Sequence, residues 1–334
     1  MDGVFDVLLL LALPASGKSE VRSYLEERDP EQFHMGPTVQ IDDYPYVHLQ
    51  LVIDEELMKL GQPRMFHGDD PGGQRNGPFK DGFELGALGR LLSEDFDELV
   101  AGKAERPKQA ALRMFERMDA ASAAAGAKAK LMQLPADVLK ALAAAMENEI
   151  REFFDAKAAN CPSSLDGKTV VVEFARGGPK PDAMPLATGY GYRGTMSQLS
   201  PELLRRSAVL YIWVDPEETR RKNRERARPD GEASILFHGV PESVLDQEYA
   251  ACDMAHLMET SDVPGTIRIE HHSGEVFHVP AARFDNRTDL TTFLREDPGT
   301  WKEDDVKALQ AQIKPACDRL WTTVQAQRKQ TERK

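Results

Sequence analysis

Eight consecutive residues, Ala12-Leu13-Pro14-Ala15-Ser16-Gly17-Lys18-Ser19, carry most of the chemistry legible in this chain. The spacing Ala-x-x-x-x-Gly-Lys-Ser is that of a loop whose backbone N–H groups curl around the phosphates of a nucleotide. Pro14, Ala15, Ser16 and Gly17 form the cradle, Lys18 reaches the β and γ phosphates, and the Ser19 hydroxyl ligates Mg²⁺. Ala12 stands where most such loops have glycine, which limits close backbone approach. A bare match of this kind arises by chance, so the context decides. The apolar run Val7-Leu8-Leu9-Leu10-Leu11 before it reads as a buried strand, and Glu20 to Arg28 after it as a helix. That helix would point its positive dipole end at the bound anion.

Three further clusters fall at the ends of expected strands. Asp42 and Asp43 close the short strand Thr38-Val39-Gln40-Ile41, and Tyr44-Pro45 enforces its stop. Asp42 is the expected base for an attacking hydroxyl, with Asp43 the turn residue and a weaker substrate contact; the plainer alternative is a turn cap. Glu173 ends the run Thr169-Val170-Val171-Val172 and suits Mg²⁺ or its waters opposite Ser19. Arg176 follows and would touch a phosphate or the substrate, unless it only pairs with Glu173. In the basic helix Glu217 to Arg228, Arg220, Arg224 and Arg228 share one face at i, i+4 spacing. They could neutralise a transferring phosphoryl group, with Arg224 the chosen catalytic residue and Arg220 and Arg228 nucleotide-binding.

The elements that must hold these groups alternate between strand and helix. A further apolar run, Ala208 to Val214, and the pair Thr266–Glu270 and Val276–Val279 around a glycine turn complete the set. Strands separated by helices and opening on a phosphate loop imply a three-layer α/β fold with a mainly parallel sheet. Residues 62–89 are rich in Gly, Asp and Pro and read as irregular, and about 90–160 read as a helical insertion of three alanine-rich helices. All 334 residues are assigned to one domain.

A formal net charge of −13 argues against a broad grip on extended nucleic acid or an anionic membrane and favours a small-molecule or nucleotide-like substrate. Three scattered cysteines form no CxxC pair, so a reducing, cytoplasmic setting is expected. No stretch approaches the ~20 apolar residues of a spanning helix. His271 and His272, beside a glycine turn, read as solvated rather than as metal ligands, and Tyr190 and Tyr192 as ring-stacking or packing residues.

The loop with Ile41-Asp42-Asp43-Tyr44 and the arginine-rich helix after Val214-Asp215-Pro216-Glu217 resemble the P-loop kinases. Within them the core is similar to polynucleotide kinases and zeta-toxin-like kinases. The resemblance implies a P-loop NTPase fold, ATP and Mg²⁺ as cofactors, Asp42 as base and the Arg220 to Arg228 segment as a lid that binds phosphates. It also implies that Phe284 to Arg287 follow a strand near the adenine. It covers the nucleotide-handling core and finds no counterpart for residues 62–160, so it does not transfer an acceptor. The expected activity is transfer of the γ-phosphoryl of ATP to a hydroxyl. The competing classes are an ATP hydrolase or switch, and an ATP-binding module without transfer. The absence of an NKxD element, and of a second acid after Glu173, lowers the switch reading.

Overall fold

The computed structural model describes residues 3–71, 77–226 and 239–331. Six strands form one sheet: β1 (Val7–Leu11), β2 (Thr38–Asp42), β3 (Thr169–Phe174), β4 (Ser207–Trp213), β5 (Thr266–Glu270) and β6 (Val276–Asp285), in the order β2-β3-β1-β4-β6-β5. The first five in that order run parallel, and β5 pairs antiparallel on the outer edge of β6. Because β3 inserts between β1 and β2, while β4 lies on the other flank of β1, connections leave β1 in opposite directions. In an open α/β sheet, the crevice for a ligand lies at the carboxyl end of such a strand.

Apolar residues fill both faces of β1, as a doubly covered parallel strand requires. Leu8 and Leu10 face Tyr24 and Leu25 of α1 (Lys18–Glu26), Phe33 of α2 (Pro30–Phe33), and Leu309, Ile313 and Leu320 of the C-terminal helix. Val7, Leu9 and Leu11 face the opposite way, into a core shared with helices from the middle of the chain. The sheet is therefore the centre of three layers.

β2 stops before Pro45 as expected, and a helix that the sequence did not announce follows at once. This is α3 (Tyr44–Lys59), whose first turn accommodates the proline because the amides there have no intrahelical partner. The helical insertion consists of α4 (Glu84–Ala101), α5 (Ala110–Ala125) and α6 (Ala136–Ala159). The irregular segment expected over 62–89 is therefore too long, since α4 already begins at Glu84. Leu85 and Leu88 supply the apolar period that the glycines at 82, 86 and 89 mask in the sequence. Tyr46, Leu49, Ile53 and Leu57 of α3 join this bundle in a core of their own. α4 serves two cores: Leu88 and Leu91 lie in the bundle, while Leu92, Phe96 and Leu99 pack on the sheet.

The remaining helices are α7 (Gly191–Met196), α8 (Pro201–Arg206), α9 (Pro216–Arg226), α10 (Glu242–Glu248), α11 (Met254–Thr260) and α12 (Glu303–Thr331). Among the described residues no helix is long and apolar enough to cross a membrane.

One buried carboxylate shapes the start of the irregular segment. Asp54, fully buried on α3, accepts the amides of Met65, Phe66 and His67 at 2.5, 3.0 and 2.8 Å and faces His67 Nδ1 at 3.1 Å. Burial pushes its pKa up, but the His67 ring and the three amides outweigh this and leave it below the ordinary carboxylate value. Asp54→Asn should lower the unfolding free energy by about 2 kcal/mol, because one charged acceptor of several amides is lost. Urea unfolding reads it directly, and a loss below about 0.5 kcal/mol would show that the segment is held by other contacts.

Candidate functional site

The loop leaves β1 at Ala12 and enters α1 at Lys18. Ala15 and Gly17 both take left-handed backbone angles, with φ of 59° and 89°. Gly17 is required twice over, because a Cβ there would also meet Thr291 Oγ1 at 2.3 Å. Ala15 holds the same region without glycine's freedom, a conformation that costs about 1–2 kcal/mol and persists only where surroundings enforce it. Three hydrogen bonds enforce it. Ser16 Oγ donates to Leu13 O at 2.6 Å, the buried Asn286 Nδ2 donates to Ser16 O at 3.0 Å, and the buried Tyr192 hydroxyl donates to Ala12 O at 2.9 Å. Asn286 also donates to Thr291 Oγ1 at 2.9 Å, so the turn after β6 braces the loop.

β2 and β3 bring the acids to this loop. Their register sets Asp42 opposite Glu173, and the Lys18 charge lowers the pKa of both. Asp42 is nevertheless pushed up to about 7, first by burial, then by Asp43 and Glu173, against the Tyr44 amide, which donates to its Oδ1 at 2.8 Å. Glu173, 4% exposed, is raised by burial against the pull of Lys18 and Arg22. Arg22 Nε donates to Glu173 Oε1 at 2.7 Å. Ser19 is exposed in the first turn of α1.

Arg176 does not pair with Glu173 and is only 2% exposed. Its Nη1 lies 2.6 Å from Asp43 Oδ2, its Nε donates to Thr195 Oγ1 at 2.8 Å, and its Nη2 donates to Leu85 O at 3.2 Å. The weaker substrate pair, Asp43 and Arg176, is thus a buried ion pair joining β2, β3, α4 and α7. The basic helix also departs from expectation. Arg220 reaches Glu242 and Asp246 of α10 at 2.6 Å each, and Arg224 lies 3.5 Å from Glu242. These two arginines face acids rather than the loop, because α10 offers carboxylates at i and i+4 that fit a fork-shaped donor. Arg228 lies outside the described residues.

The sequence did not point to Arg22 or Glu248, and it gave Tyr192 and Asn286 other roles. Arg22 stands four residues after Lys18 and so on the same helix face, a usable signal. Tyr192 acts through its hydroxyl on the loop carbonyl rather than by stacking on a ligand. Asn286 falls in the stretch placed near adenine, yet its side chain holds the loop itself. Glu248, 5% exposed, accepts the Phe79 amide at 2.6 Å and is pushed by burial up to about 7. His271 is buried rather than solvated, packed at 5.8 Å against Phe277.

The donors around the loop are a hydroxyl and carboxylates, the oxygen ligands that Mg²⁺ takes. The Glu173 charge raises the pKa of Asp42, a repulsion that a divalent cation would relieve. Ser19 and Glu173 offer oxygen donors of that kind, and among the described residues no group of three or more His, Cys, Asp or Glu is placed to hold a metal ion. A cavity of ≈ 330 Å³, lined by Asp6, Arg205, Arg206 and Arg328, lies at the opposite, amino-terminal end of β1 and β4. A second, of ≈ 350 Å³, opens beside Asp285, Arg287 and Leu290 where β6 ends. Comparison with protein-family models, curated proteins and solved structures found no match.

Proposed function

We propose that this protein is an ATP-dependent phosphotransferase of P-loop type, moving the γ-phosphoryl of ATP to a hydroxyl of a small-molecule or nucleotide-like acceptor. The observation that carries the reading is the left-handed, braced loop at the end of the central strand, opening into α1 with Lys18 beside Asp42 and Glu173. The α1 N-terminus and Lys18 supply positive charge where the phosphates would lie. Asp42 takes the proton of the acceptor hydroxyl as its oxygen attacks the γ phosphorus and the bond to the ADP oxygen breaks. A carboxyl titrating near 7 suits that task at neutral pH, where it is both available and basic enough. Mg²⁺, when bound with the nucleotide, neutralises charge on the β and γ oxygens, and Ser19 and Glu173 would hold it. Arg22 orients Glu173 for this.

The crevice beside Asp285, Arg287 and Leu290 adjoins the Asn286 brace, and we assign the base to it. Arg224 as catalytic residue, and Arg220 and Arg228 as phosphate ligands, remain part of the proposal. For Arg220 and Arg224 it requires exchange of their α10 partners for phosphate.

The test is incubation of the protein with γ-labelled ATP, Mg²⁺ and a pool of hydroxyl-bearing metabolites. Label should enter an organic acceptor, and Lys18→Ala should reduce the transfer rate by at least about 10²-fold. Release of inorganic phosphate at the same rate with and without acceptor would make the protein a hydrolase. MgATP at 100 times its Kd should also raise the unfolding free energy by about 2.7 kcal/mol. No thermal shift at millimolar nucleotide would remove the nucleotide reading.

A further inference from the structure

We propose that α7, a six-residue helix with none of the chemistry, is the positioning element that holds the loop and the acidic end of β2 in one register. Three ties define it. Tyr192, with no exposed surface, donates its hydroxyl to Ala12 O at 2.9 Å and so fixes the carbonyl from which the loop departs. One turn later Thr195, also without exposed surface, accepts Arg176 Nε at 2.8 Å, and Arg176 in turn grips Asp43 at 2.6 Å. At the helix start Asp253, 1% exposed, accepts the amides of Tyr192 and Arg193 at 2.8 and 3.0 Å.

The fit at that start is tight. Gly191 has φ of 76°, and a Cβ on it would come within 2.4 Å of Asp253 Oδ2. Its amide donates to Gly177 O at 2.9 Å, while Gly178 and Ala251 exchange amide bonds at 2.9 and 3.0 Å. A Cβ on Gly177 would lie 2.6 Å from Ala251 O. The chain after β3, the start of α7 and the turn after α10 are thus locked face to face, and α7 cannot shift without moving both of its ties. Tyr192 and Thr195 lie three residues apart on a helix, which sends them to one face. That face points into the core shared with the sheet, where Tyr192 packs at 5.8 Å from Phe174 and 6.3 Å from Tyr211.

Tyr192 and Thr195 are positioning residues: the first sets the cradle, the second sets Arg176 and, through it, Asp43. What the ties do for catalysis rests on the reading of the loop as a nucleotide site. Their existence does not, and the experiment separates the two. In the nucleotide-free protein, Tyr192→Phe should speed amide hydrogen exchange in residues 12–17 while leaving the β5–β6 pair at its wild-type rate. With MgATP, the same variant should raise the nucleotide KM about 5- to 10-fold, the value of one buried neutral hydrogen bond, with kcat within about twofold. Thr195→Val should leave loop exchange alone and speed exchange of the Asp43 amide, which donates to Glu173 O at 3.5 Å, because a loosened Arg176 holds Asp43 less firmly. Thr195→Ser, which keeps the hydroxyl, should restore the wild-type exchange rate at Asp43. Unchanged loop exchange in Tyr192→Phe overturns the tie. Equal exchange at the Asp43 amide in Thr195→Val and Thr195→Ser overturns the second arm. Wild-type protein that binds no MgATP overturns the nucleotide reading, with the exchange result still standing for or against the tie.

Discussion

Asp42→Asn should lower kcat by about 10²–10⁴-fold, the range of a lost general base, while leaving the KM for ATP within a few-fold. The amide keeps the oxygen that receives the Tyr44 N–H and nearly the same volume, so loss of activity would not reflect loss of fold. In the wild type the rate should rise with pH through about 7, where the carboxyl ionises, and this limb should be missing from the residual activity of the variant. Stability moves the other way. Between about 4 and 7 the unfolded chain carries Asp42 ionised while the folded protein holds it protonated, so the folded state binds the extra proton and its stability falls as pH rises. The stabilisation is complete below the unfolded value and gone above about 7. Asn has no such dependence. The variant should therefore become progressively more stable than wild type from pH 4 to 7, and stay about 1–2 kcal/mol ahead above that, after allowance for the partial exposure of the site. Thermal melts at pH 5 and pH 8 test this. A variant that transfers phosphoryl at the wild-type rate would take Asp42 out of the mechanism, and a variant less stable at pH 8 would mean that its charge is compensated in the folded protein.

Arg176→Leu should cost about 3–5 kcal/mol of stability, the effect of removing one partner from a buried ion pair. It would leave Asp43, 7% exposed, with its carboxylate uncompensated, and would strip donors from Thr195 Oγ1, Ala175 O and Leu85 O together. Chemical denaturation measures it. Had Arg176 been a substrate ligand at the surface, the variant would fold as well as wild type and alter only the KM for the acceptor, so a stability loss below about 1 kcal/mol with a raised KM would restore that role. Arg176→Lys should recover little, since one ammonium cannot serve four acceptors spread around a planar fork.

The sheet and its order of helices follow from local patterns. β1, β3 and β4 are continuous apolar runs, and strands of this kind declare themselves because both faces are buried. Glu173 was legible for the same reason, as a polar residue near the carboxyl end of such a run, whereas Asp42 was legible from the Pro45 stop that follows the alternating strand β2. The insertion was legible as helices but not as a wall of the site, because contacts such as Arg176 to Leu85 join residues 91 apart and leave no periodic mark. α3 was hidden by Pro45, which signals an end of strand and a beginning of helix with the same residue. Arg220 and Arg224 show the limit of charge patterns. A row of arginines fixes which face is basic, not which acids meet it, and α10 is separated from them by residues with no periodic signal.

The two-sided packing of α4 bears on how this chain could have acquired, or could be relieved of, its middle third. A domain grafted into a loop normally keeps its apolar surface to itself and can be cut out at the graft points. Here the same helix seals one face of the sheet with Leu92, Phe96 and Leu99 and seeds the bundle with Leu88 and Leu91. Excision would open the parent sheet to water, and the excised piece would expose three large side chains of its own. The stretch is thus not a transferable cassette, and the two cores should melt together as one cooperative unit.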